Sequence, residues 1–96
     1  MQYFHRASLP PDEAMRQAAA FFGARLAPTG EAPRERRFAG SLGKLTVTVR
    51  AEGGHYTLVT LATDQPGESE LDKLAKRFLS ELHVSDDPGH RVIGSY

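Results

Sequence analysis

Residues 45–64 read LTVTVRAEGGHYTLVTLATD, two runs rich in β-branched residues around a Gly-Gly pair. In the first run Leu45, Val47 and Val49 alternate with Thr46, Thr48 and Arg50, the period of two that gives a pleated strand one apolar face. Glu52, Gly53 and Gly54 supply the turn, because glycine takes positive φ without steric cost. The second run is harder to read: Leu58 points to one side of the pleat, while Val59 and Leu61 point to the other. A three-residue turn at 52–54 sets Val47 opposite Val59 and Leu45 opposite Leu61. A two- or four-residue turn would bring Tyr56 and Leu58 onto that face. The first register is expected, since it pairs more apolar surface. Tyr56 and Leu58 then lie on the second face of the sheet, and something other than the hairpin must cover them.

The flanking segments supply partners for this hairpin. Residues 36–43, RRFAGSLG, set Gly40 and Gly43 around a further turn, so residues 36–40 are expected to add an antiparallel strand. At the start, QYFHRASL (2–9) alternates Tyr3, His5 and Ala7 with Phe4, Arg6 and Ser8, and reads as a short strand. The stretch APTGEAPRERR (27–37) contains two prolines and a glycine, and at least its first half reads as loop.

Two segments have helical spacing. In PPDEAMRQAAAFFGARL (10–26), Pro11 suits a first turn, where its missing N–H would have no partner, and Asp12 and Glu13 suit the positive end of the helix dipole. Met15, Ala18, Ala19, Phe22 and Leu26 form its apolar stripe, and Gly23 is expected to weaken or end it. In ESELDKLAKRFLSELHV (68–84), Ser69 with Asp72 three residues on makes a capping-box pattern. Leu71, Leu74, Ala75, Phe78, Leu79 and Leu82 make the buried stripe, with Asp72–Lys76 and Arg77–Glu81 expected as ion pairs on the opposite side. Residues 84–96 read as a turn followed by a flexible or docking tail, whose Val92 and Ile93 could form a short strand.

The order β-α-β-β-β-α predicts one α+β domain over residues 1–96. It is a two-layer sandwich in which an antiparallel sheet of about four strands carries both helices on one face. The other face is expected to expose Phe4, Phe38, Tyr56 and Leu58, a patch of the kind that marks an interface. A second copy of the chain is the expected occupant, with another protein or a small apolar ligand as alternatives. The ligand alternative is a small-molecule-binding domain or modest enzyme with an apolar pocket between the sheet and the first helix, where His5, His55 or Tyr56 supply polar contacts.

Composition narrows the remaining classes. Twelve basic and twelve acidic residues cancel, so no global field draws the chain to nucleic acid or to an anionic membrane. The chain has no cysteine, which removes thiolate metal sites and thiol nucleophiles and is compatible with the cytoplasm. Its longest apolar run, AAAFFGA from Ala18 to Ala24, is far short of the roughly 20 residues that span a bilayer. Arg34, Arg36, Arg37 and Arg50 concentrate positive charge in the middle of the chain, where a polyanion could bind. The commoner role of such charge is to keep an edge strand from pairing with other sheets, and nucleic acid is accordingly disfavoured. His83, Asp86, Asp87 and His90 lie close in sequence, but in a spacing that matches no metal motif, so no metal or other cofactor is expected. His5 beside His55, with Tyr56 or Glu52, would offer a general base, yet nothing in the sequence requires them to meet. No serine sits in a nucleophile elbow and no glycine pair makes a phosphate loop. The chain reads as a binding domain with no assigned catalytic residue.

Overall fold

The computed structural model describes residues 1–54 and 56–86, with residues 83–86 as helix backbone only. Strand β1 (Gln2–Ala7) leads to helix α1 (Pro11–Gly23), then to four consecutive strands, β2 (Ala27–Ala32), β3 (Glu35–Gly40), β4 (Gly43–Glu52) and β5 (Tyr56–Thr63), and to helix α2 (Glu70–Asp86). All neighbours pair antiparallel in the spatial order β1-β5-β4-β3-β2. Both helices pack on one face of this sheet. The shortest dimension of the molecule is 21 Å, the thickness of one sheet plus one helix layer.

The sheet has one strand more than the expected four. Residues 27–32, expected as loop, form β2 at the sheet edge. Its proline is tolerated there because an edge strand leaves every other N–H without a ladder partner, and the pairing with β3 shifts register between Pro28 and Gly30. The central hairpin also differs in detail from expectation. Glu52 pairs with Tyr56, which places Val49 opposite Val59, Val47 opposite Leu61 and Leu45 opposite Thr63. The turn thus lies one residue later in the chain, with Gly53 and Gly54 both at positive φ, and the ladder slides by two residues. A slip of two preserves parity. Val47, Val49, Val59 and Leu61 therefore all point inward and are essentially inaccessible, as the apolar alternation requires.

Helix α1 buries Ala14, Met15, Ala18 and Phe22, and α2 buries Leu71, Ala75, Phe78 and Leu82. The two stripes meet the sheet through an aromatic cluster in which the Phe22 ring lies 5.1 Å from Phe78 and 6.0 Å from Phe38. α1 begins at Pro11 and stops at Gly23, where the Leu26 amide donates back to the Phe22 carbonyl at 2.7 Å. Ser69 caps α2: its hydroxyl accepts from the Asp72 amide at 3.1 Å and donates to Asp72 Oδ1 at 2.7 Å.

Candidate functional site

Among the described residues, no element covers the face of the sheet opposite the helices. Strand pairing sets out its rows. Phe4, Thr60, Thr48 and Glu35 lie side by side, as do Arg6, Leu58 and Arg50, then Gln2, Ala62, Thr46 and Arg37, and finally Tyr56 and Glu52. Phe4 and Tyr56 are the prominent apolar groups, 61% and 51% exposed. The centre is a half-buried bed of threonine and alanine.

Charge on this face is interleaved. The Arg6 Nε donates to Glu52 Oε1 at 2.6 Å, and Arg50 approaches the other oxygen of Glu52 at 3.5 Å. Because β5 lies between β1 and β4, the Arg6–Glu52 bond arches across the outer face of β5 beside Leu58. Leu58 is half-buried as a result, rather than open as the sequence suggested. The hydrogen bond from Arg6 holds the Glu52 carboxyl below the usual carboxylate range. At the far side of the sheet Arg37 and Glu35 pair at 2.6 Å.

The expected site residues divide between the two faces. Phe4, Tyr56 and Leu58 share the open face, but Phe38 does not: it is 3% exposed, opposite Leu45 on β4 and under Phe22 of α1. The tight pairing of Gly40 with Gly43 fixes its parity with Leu45, and Leu45 points inward. The basic patch is dispersed in the same way. Arg37 and Arg50 are on the open face. Arg36 pairs with Val47 on the helix side, and Arg34, in the β2–β3 turn, reaches Asp12 of α1 at 2.5 Å. Each of the four already faces a carboxylate, of Asp12, Glu31, Glu35 or Glu52.

His5 pairs with Val59 on the helix side, so the sheet separates it from Tyr56 and Glu52 and the proposed general-base grouping does not form around it. His55, the side chains of His83 and Asp86, and Asp87, His90, Val92 and Ile93 lie outside the described residues. No helix among the described residues is long and apolar enough to cross a membrane.

Comparison with protein-family models, with curated proteins and with solved structures gives no match to this chain. What the protein does has to be read from its own geometry.

One polar cluster was hidden in the helix pattern. Asp72, expected to face solvent opposite Lys76, is fully buried. Its carboxylate accepts from Tyr3 Oη of β1, from Thr63 Oγ1 of β5 at 2.8 Å and from Ser69 Oγ at 2.7 Å, which ties two strands to the capped start of α2. Burial alone would push the Asp72 carboxyl up, but the hydrogen bonds from Tyr3, Ser69 and Thr63 outweigh it and hold the group below its ordinary value. The same bond to Asp72 pushes the Tyr3 phenol up to about 12. Every group in the cluster has its partner, and its role is to lock α2 onto the β1–β5 edge. The only sequence signal for it was the Ser69–Asp72 spacing, since a tyrosine and a threonine on separate strands show no local pattern. The Arg77–Glu81 pair does form, at 2.9 Å, whereas Lys76 faces Glu68.

Proposed function

We propose that this chain is a small partner-binding domain whose partner is a second copy of itself, docked through the open face of the sheet. The observation that carries the reading is the exposure of Phe4 and Tyr56 on that face, beside paired arginine and glutamate side chains. Aromatic residues and arginine are the types enriched in protein interfaces. Five strands spaced about 4.8 Å apart and some six residues long present roughly 24 Å by 20 Å, a flat footprint of about 480 Å² per copy, which puts the dimer at the small end of specific interfaces.

The choice of a second copy follows from charge. Both signs of charge lie on the face, Arg6, Arg37 and Arg50 beside Glu35 and Glu52, so a second copy can offer carboxylates to guanidiniums and guanidiniums to carboxylates, and the chain carries no net charge to repel its copy. A polyanion is the poorer occupant of the open face because Arg6, Arg37 and Arg50 there already face Glu52 or Glu35. Small domains of this size also gain stability by association. The cysteine-free composition makes such an assembly compatible with the cytoplasm.

Light scattering on a size-exclusion column across a dilution series tests the reading. The expected mass is twice the 10.5 kDa of the chain. Phe4→Glu, at a side chain too exposed to matter for folding, should return it to a single chain with its circular dichroism unchanged. A parent that stays monomeric at every concentration overturns the proposal, as does a Phe4→Glu variant that dimerises as tightly as the parent.

A further inference from the structure

On the opposite side of the sheet, the two helices do not cover all five strands. α2 lies against β1 and β5, and α1 against β3 and β4, so the inner side of the outermost strand β2 has no helix packed fully over it. A cleft of about 470 Å³ occupies the space, within the range of small-molecule sites. Phe38 is its floor, Ala19 and Gly23 of α1 form one wall, and Pro28 with Glu31 of β2 forms the other. The α1 wall is built from Ala19 and Gly23, which carry little or no side chain, and a Cβ placed on Gly23 would meet no atom within 4 Å.

Arg36 is the polar group in this cleft that stands out. It occupies a core-facing position in register with Val47, next to Phe38, where strand alternation calls for an apolar residue. Its side chain is only 26% exposed. One guanidinium nitrogen donates to the Ala32 carbonyl at 2.8 Å, and another stands 3.5 Å from the Glu31 carboxylate, whose side chain is 75% exposed. A guanidinium carries five N–H donors in a planar fork that matches a carboxylate bidentately. The Glu31 contact is long and solvated, so it is readily exchanged, and an incoming carboxylate would gain the better geometry in the drier position.

We propose that this cleft binds a small amphiphilic carboxylate, with the acid group on Arg36 in place of Glu31 and the apolar body laid over Phe38 between Ala19, Gly23 and Pro28. The site is independent of the open face, which lies across the sheet from it. Decanoate is the probe, titrated into the ¹⁵N-labelled full chain below its micelle concentration and followed by amide chemical shifts, with decyltrimethylammonium as the charge-reversed control. Saturable shifts are expected at Ala19, Gly23, Gly30 and Phe38, with none of that pattern for the cationic control. Arg36→Leu should weaken binding about tenfold or more, the effect of losing one charge-assisted contact. Glu31→Gln should tighten it by removing the competing carboxylate. Gly23→Leu should abolish it by filling the cleft while leaving the melting temperature near the parent's. Three results would each overturn the proposal: no saturation, shifts confined to the open face, or equal affinity in the parent and Arg36→Leu.

Discussion

Replacing Asp72 with alanine is the sharpest test of how α2 is held to the sheet. The carboxylate is fully buried and accepts from Tyr3, Thr63 and Ser69, in the first turn of a helix whose dipole favours an anion. Hydrogen bonds to a charged group contribute about 1.5–3 kcal/mol each when broken singly, but the three do not add. Thr63 Oγ1 can turn to the Gln65 carbonyl, which it already approaches at 3.3 Å, Ser69 keeps the Asp72 amide, and the half-buried Tyr3 hydroxyl can recover water. A net loss of about 3 kcal/mol follows, a large part of the roughly 5–15 kcal/mol that stabilises a domain. For a chain of this size it corresponds to a fall in Tm of about 12–24 °C. Thermal and urea denaturation followed by circular dichroism measure it. Because the folded-state pKa of Asp72 is held below its ordinary value, its stabilising contribution is full above the unfolded pKa of about 3.9 and is lost as pH falls through the lower folded value. The gap between parent and Asp72→Asn should therefore close in acid. A loss under about 1 kcal/mol for Asp72→Ala, or a gap for Asp72→Asn that does not change between pH 7 and pH 2, would refute the account.

Other substitutions test the packing more simply. Phe22→Ala removes the ring that joins Phe38 to Phe78 and should cost about 3–5 kcal/mol in urea denaturation. Gly43→Ala should destabilise by more than about 1 kcal/mol, since Gly43 sits at φ 133° and a Cβ there would come within 2.7 Å of Asp64 Oδ1, the acceptor of the Lys44 amide. Gly23→Ala, at the end of α1 facing open space, should instead raise stability by about 0.5–1 kcal/mol in the same assay. Leu58→Asp places a carboxylate between Arg6 and Arg50 on the open face, and should give a folded monomer by light scattering if that face is the dimer interface.

Local pattern was enough for much of this molecule. The spacing of Met15, Ala18 and Phe22, and that of Leu71, Ala75, Phe78 and Leu82, placed two helices with one buried side each, because a period near 3.6 leaves little choice of face. The alternation from Leu45 to Val49 and the Gly-Gly turn placed the central hairpin, and parity alone put Tyr56 and Leu58 on the side away from the helices. An α+β domain with an open sheet face follows from those elements. What needed the tertiary structure was every feature set by partners distant in sequence. Residues 27–32 became a strand because β3 offered an edge that tolerates a proline and a bulge. Phe38 went inward because its neighbour across the turn, Leu45, did. Asp72 exchanged a solvent-facing ion pair for a buried seat because hydroxyls from β1 and β5, some 69 and 9 residues away, converge on the start of its helix. Arg36 came to face a cleft, rather than a basic surface, because α1 stops over β3 and leaves the inner side of β2 open. Periodicity specifies which side of an element is apolar, whereas the assembly of the layers decides what each side meets.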